Sequence, residues 1–144
     1  TTVLQAVKEA SIIASKGIVV RPHLSLDIAT TTEELPLPKS YFNVIHEGMR
    51  EAVVEGTANI LNIPEVKMAA KTGTAELGVT KARVNSWVIG FFPYDKPRYA
   101  FAVVMDRGVK GNTTNASYTA RQLFRHLASS TPEYLSPEKS VTPN

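Results

Sequence analysis

Lys71-Thr72-Gly73-Thr74 puts a cation, two hydroxyls and a residue without a Cβ side by side. That set suits an oxyanion or a carboxylate: the charge and hydroxyls bind it, and Gly73 lets a ligand approach backbone N–H donors. Just upstream, Val66, Met68 and Ala70 alternate with Lys67 and Ala69 at the two-residue period of a pleated strand. The pattern predicts a buried strand over residues 66–75 that ends in a polar edge. The pleat sends Thr72 and Thr74 to one side and Lys71 and Gly73 to the other. The bland alternative for Lys71 is a strand-end lysine whose stem lies along apolar surface.

The surrounding elements must hold that edge in place. Thr2 caps a predicted helix over residues 3–15 whose inner face is Val3, Val7, Ala10 and Ala14, widened by Leu4 and Ile13. Gly17 ends it, with Lys16 at the negative pole. Ile18-Val-Val20 is a short strand that Pro22 confines to an edge, and residues 30–38 read as a loop. A second helix is expected over 41–55, with Ser40 as N-cap and a stripe of Phe42, Ile45, Met49, Ala52 and Val53. Gly48 inside it hints at close packing against a neighbour. Residues 76–83 lack a clear period and read as a loop. Residues 84–92 and 98–106 read as an antiparallel hairpin closed by the turn at 93–97. Because Ala100 to Met105 is continuously apolar, that strand is expected to be covered on both faces and not to lie at an edge. Trp87 is expected to be half-buried. Asn115 or Thr114 caps a last helix to Ala128, with Ala120, Leu123, Phe124 and Leu127 facing the sheet.

These pieces give an α/β fold of the α+β type, an antiparallel sheet covered by helices, in one unit over residues 1–128. A Pro- and Ser-rich tail over 129–144 is expected to be flexible. At 144 residues and 43% hydrophobic content the chain supports one modest core. No run approaches the roughly 18 apolar residues that span a bilayer. The net charge of +3 is dispersed, with no basic run and no interleaved aromatics, which argues against nucleic acid. The absence of cysteine excludes disulfides and thiol chemistry. His23 and His46 stand at no metal-like spacing and read as structural, so neither a metal nor a cofactor is expected.

The segments Gly17-Ile-Val-Val-Arg-Pro-His23, Glu47 to Ala58, Lys71-Thr-Gly-Thr74, Trp87 to Pro93 and Tyr99 to Met105 agree with one family in order and spacing. Together they resemble the C-terminal part of the transpeptidase domain of penicillin-binding proteins, most of all the class B enzymes, in which a Lys-Thr-Gly box accompanies Ser-x-x-Lys and Ser-x-Asn boxes. The resemblance runs from about Thr1 to Leu127. No Ser-x-Asn occurs, and Ser136-Pro-Glu-Lys139 follows the site strand among prolines, so it reads as a decoy.

The resemblance implies a serine D,D-transpeptidase that cross-links peptidoglycan through an acyl-enzyme and is acylated by β-lactams. Lys71 would organise the proton network around a serine supplied from elsewhere. Thr72 and Thr74 would hold the carboxylate of a D-Ala-D-Ala stem peptide or of a β-lactam, with Gly73 clearing the approach, and the Thr74 N–H would donate to the oxyanion. The implied partners are the nucleophile-bearing remainder of the transpeptidase, without which this chain is expected to be inactive, together with stem peptides and β-lactams. The location implied is the bacterial envelope outside the cytoplasm, with any membrane anchor outside this chain. A β-lactam sensor domain and a non-catalytic envelope scaffold of the same fold are the alternatives. The alanine-rich face of the first helix, which opens the sequence without a preceding element, is expected to meet a helical subdomain outside this chain.

Overall fold

The computed structural model describes residues 1–135. Their elements are α1 (Val3–Ala14), β1 (Ile18–Val20), β2 (Thr32–Glu34), α2 (Lys39–Val54), β3 (Ala69–Leu77), β4 (Arg83–Phe92), β5 (Tyr99–Val109) and α3 (Ala116–Ser130). Single 3-10 turns stand at Asn59–Leu61 and Pro132–Tyr134. The sheet that carries the site is antiparallel in the order β3-β4-β5, and β1 pairs with β2 as a separate ribbon.

Alternation along these strands sends their side chains to two cores. Ala70, Val88, Phe92 and Phe101 meet Ala116, Ala120 and Phe124 of α3 on one face. On the other face Ala69 and Phe91 meet Met49 of α2 and Ile13 and Ala14 of α1. Gly90 allows the closest approach within the sheet. A Cβ there would lie 2.3 Å from the Ala69 carbonyl oxygen and 2.7 Å from the Phe101 ring, so only glycine lets β3 lie this tightly on β4.

Several boundaries differ from expectation for identifiable reasons. In α1 the buried residues are Ala6 and Ala10, while Val3 and Leu4 stay exposed. The inner stripe is therefore Ala6, Ala10, Ile13 and Ala14, and it lies against the β4–β5 sheet rather than awaiting a helical partner. At the C-terminus of α1, Gly17 N–H donates to Ile12 O and Lys16 N–H to Ile13 O, the paired bonds of a Schellman turn. Lys16 thus shares the left-handed conformation with Gly17, where a Cβ would meet the Phe42 ring at 2.9 Å. Residues 32–34, expected as loop, pair with β1, since three residues are too few to show a period. Helix α2 starts at Lys39 behind Pro38, and Ser40 lies inside it instead of capping it. A Cβ on Gly48 would meet nothing within 4 Å, so the close packing that this glycine hinted at is absent. Ile45 is exposed and His46 takes its place in the stripe.

The site strand begins at Ala69 rather than Val66, because residues 63–66 form a single bridge of their own. It runs on to Leu77, which leaves only residues 78–82 as the turn to β4. Strand β5 is covered by helices on both faces, yet it lies at an end of the sheet and has one strand neighbour among the described residues. The expectation of an interior strand is corrected: a continuous apolar run reports what covers the faces, not what pairs with the edges. In α3, capped by Asn115 Oδ1 accepting from Tyr118 N–H at 3.0 Å, Leu123 is exposed and Ala116 and Ser117 are buried. The helix continues to Ser130 and Leu135 enters the core, so the tail expected from Ser129 is ordered at least that far. Ser136 and Lys139 lie outside the described residues.

Candidate active-site strand and its family

Strand β3 pairs with β4 from Ala69↔Phe91 to Leu77↔Arg83, and its other edge has no strand partner among the described residues. Every second N–H and C=O of Lys71-Thr72-Gly73-Thr74 therefore faces away from the sheet. The start of the strand is held firmly. Arg50 of α2 donates to Met68 O at 2.8 Å and Tyr94 N–H donates to the Lys67 backbone oxygen at 2.7 Å. These bonds fix the polar end without using any of its four residues.

Lys71 is exposed, and its ammonium donates to the Thr72 carbonyl at 2.6 Å. Among the described residues no carboxylate pairs with it. Thr72 turns to the α3 side of the strand, where its hydroxyl meets that of Thr57 at 2.7 Å. Thr57 belongs to the Gly56-Thr57-Ala58 turn, whose role the sequence leaves unread; a spacing of 15 residues across a turn carries no periodic signal. A Cβ on Gly73 would meet only the Trp87 Cβ at 3.7 Å, an ordinary contact. Nothing in the described chain demands glycine there, and its bare face is open to solvent. Thr74 is exposed and lies opposite Ser86.

Beyond Thr74, Glu76 accepts hydrogen bonds from Lys110 at 2.5 Å and pairs with Lys81 at 3.3 Å, tying β3 to the end of β5 and to its own turn. The Lys110 hydrogen bond, then Lys81, hold its carboxyl below the ordinary value of 4.5. A folded-state pKa below the unfolded one means that the unfolded chain binds more protons through this range. The contribution is therefore present above the unfolded pKa and is lost as pH falls through the folded one. Thermal melts of the wild type and Glu76→Gln should differ at pH 6 and converge as the pH is lowered below 4; a gap that persists in acid would rule this ion cluster out as its source.

His46 and His23 are structural. His46 is buried and its Nε2–H donates to Ile13 O at 2.6 Å, while His23 Nδ1–H donates to Ser25 O at 2.8 Å. Among the described residues no three His, Asp or Glu side chains group as a metal site, and no helix is long and apolar enough to cross a membrane.

With this geometry in place, residues 1–128 match the penicillin-binding protein transpeptidase domain. The chain belongs to that family. Peptidoglycan D,D-transpeptidase MrdA of Escherichia coli K12 is 26% identical over 153 residues, covering 88% of this chain and 24% of MrdA. Peptidoglycan D,D-transpeptidase PbpA of Mycolicibacterium smegmatis is 33% identical over 129 residues, covering 74% of this chain and 24% of PbpA. Among solved structures, the imipenem acyl-enzyme complex of penicillin-binding protein A from Mycobacterium tuberculosis superposes with a TM-score of 0.71 at 27% identity, over 89% of this chain and 31% of that one. The chain spans about a quarter of the length of the curated relatives it matches.

Proposed function

We propose that this chain supplies the Lys-Thr-Gly-Thr strand of a class B peptidoglycan D,D-transpeptidase, an acyl-transfer enzyme of the bacterial envelope that β-lactams acylate. The observation that carries the reading is a strand edge bearing Lys71-Thr72-Gly73-Thr74 for which the described residues offer neither a strand partner nor a carboxylate to neutralise the cation, in a chain of this family. Relatives named D,D-transpeptidases and a relative captured as an imipenem acyl-enzyme support it.

Acyl transfer needs a nucleophile, a proton carrier and donors aimed at the tetrahedral oxyanion. The nucleophilic serine and its lysine come from the part of the transpeptidase outside this chain, so the chain by itself is inactive. Lys71 places a positive charge beside the reacting centre and orders the proton network. Thr72 and Thr74 hold the carboxylate of a stem peptide ending in D-Ala-D-Ala, or that of a β-lactam, and the Thr74 N–H donates to the oxyanion. Gly73, with no internal contact that requires it, leaves room for the acyl group to cross the strand. Any membrane attachment lies outside this chain.

Thr74→Val tests the carboxylate assignment because it keeps the shape and the N–H while deleting the hydroxyl. In the full-length protein, binding of penicillin before acylation should weaken by about 1.5 to 3 kcal/mol, the range for a hydrogen bond to a charged partner. Stopped-flow labelling with a fluorescent penicillin separates the binding constant from the acylation rate. An unchanged binding constant would remove Thr74 from carboxylate recognition.

A further inference from the structure

Thr57 stands outside the Lys-Thr-Gly-Thr box, yet its hydroxyl lies 2.7 Å from that of Thr72, and either oxygen can donate. Thr57 is exposed, and no other hydrogen bond of the described residues uses its side chain. Water would serve an exposed hydroxyl as well, so the fold has no need of this bond. The backbone around it is nevertheless fixed on both sides. Gly56 N–H donates to Glu51 O at 3.1 Å and Ala58 N–H to Ala52 O at 2.9 Å, which ties the turn to the end of α2. A Cβ on Gly56 would lie 2.8 Å from Ala52 Cα, so glycine lets the turn fold back this closely. Ala58 is fully buried, and the Asn59 side chain donates to Val54 O at 2.8 Å. A tightly held turn thus sets one hydroxyl against one residue of the site strand.

Proton counting gives that contact a direction. A hydroxyl has one proton to donate and two lone pairs that accept, while a carboxylate only accepts. Once Thr72 gives its proton to a ligand carboxylate, it has none left for Thr57. The bond between the two hydroxyls then persists only with Thr57 donating and Thr72 accepting. That donation holds the Thr72 proton turned outward and polarises its O–H toward the anion. We infer, resting on the transpeptidase reading of the strand, that Thr57 is a positioning residue for carboxylate recognition. It acts through Thr72 and does not touch the ligand. Polarisation gains most when the acceptor carries a full charge, so Thr57 also sharpens the preference for an acid over its neutral ester.

The test uses the full-length protein and reads the binding constant of benzylpenicillin before acylation separately from the acylation rate. Thr57→Val should weaken binding about three- to tenfold, with the acylation rate within about twofold of the wild type and the melting temperature kept. Thr57→Ser retains the hydroxyl and should bind like the wild type. The methyl ester of benzylpenicillin, measured by competition with a fluorescent penicillin, should bind the wild type and Thr57→Val alike. In a Thr72→Val background, Thr57→Val should add nothing, because its route to the ligand is gone. Equal losses for acid and ester, no rescue by serine, or an additive effect in the Thr72→Val background would show a role in shaping the strand and overturn the inference. If Thr74→Val weakens penicillin binding and Thr57→Val does not, the carboxylate assignment stands and this inference alone fails. A protein that penicillin never acylates would overturn both.

Discussion

Replacing Lys71 by alanine in the full-length protein should slow acylation by benzylpenicillin about 10³-fold, roughly 4 kcal/mol of transition-state stabilisation. The expected size follows from where the ammonium stands. It is exposed and donates to the neighbouring Thr72 carbonyl, and among the described residues its strand edge has no strand partner and its charge no carboxylate. A cation in that position serves both the developing oxyanion and the proton network, and so it should cost more than Thr74. The acylation rate should fall while the melting temperature stays within a degree or two, because Lys71 makes no contact that the fold depends on. Lys67 is the internal control. It pairs with Asp95 across solvent and lies over the Tyr94 ring at 5.1 Å, so Lys67→Ala should cost at most about 1 kcal/mol of stability and leave acylation unchanged. Small and equal effects at Lys71, Thr74 and Lys67 would leave only the scaffold reading standing.

Phe124→Ala should destabilise the fold by about 3 to 5 kcal/mol, read as a lower urea midpoint with an unchanged slope. The ring is 1% exposed and sits edge-on to Phe92 at 4.9 Å and Phe101 at 5.0 Å, joining α3 to both β4 and β5. Removing it leaves a cavity whose walls belong to three elements and cannot all move inward together. Leu123→Ala, one residue earlier, should cost less than about 1 kcal/mol, since that side chain is 45% exposed. The pair also checks the orientation of α3. Similar losses at both positions would mean that the helix is turned differently on the sheet.

The helical stripes, the hairpin, the existence of a strand carrying Lys71-Thr72-Gly73-Thr74 and the caps at Thr2 and Asn115 were legible along the chain. Each depends on residues within one or two turns or pleats of one another, and such local chemistry is written in order. For the same reason the family resemblance could be stated from five short segments and was then met by the match over residues 1–128. Which residue of a stripe is innermost is a different matter. Ala6 replaced Val3 in α1 and His46 replaced Ile45 in α2, because the angle at which a helix meets the sheet depends on the partner's side chains as much as on its own. The edge position of β5 was likewise invisible, since apolar side chains report covered faces while pairing uses backbone groups that every residue carries alike. Tertiary structure alone brought Thr57 to Thr72, Lys110 to Glu76 and Ser86 to the first turn of α3, across 15, 34 and 30 residues. It alone buried Ser117 in the first turn of α3, where no hydrogen bond among the described residues uses its hydroxyl. A serine in a sequence carries no sign of whether its bond will be made, because that is decided by what the fold sets opposite it.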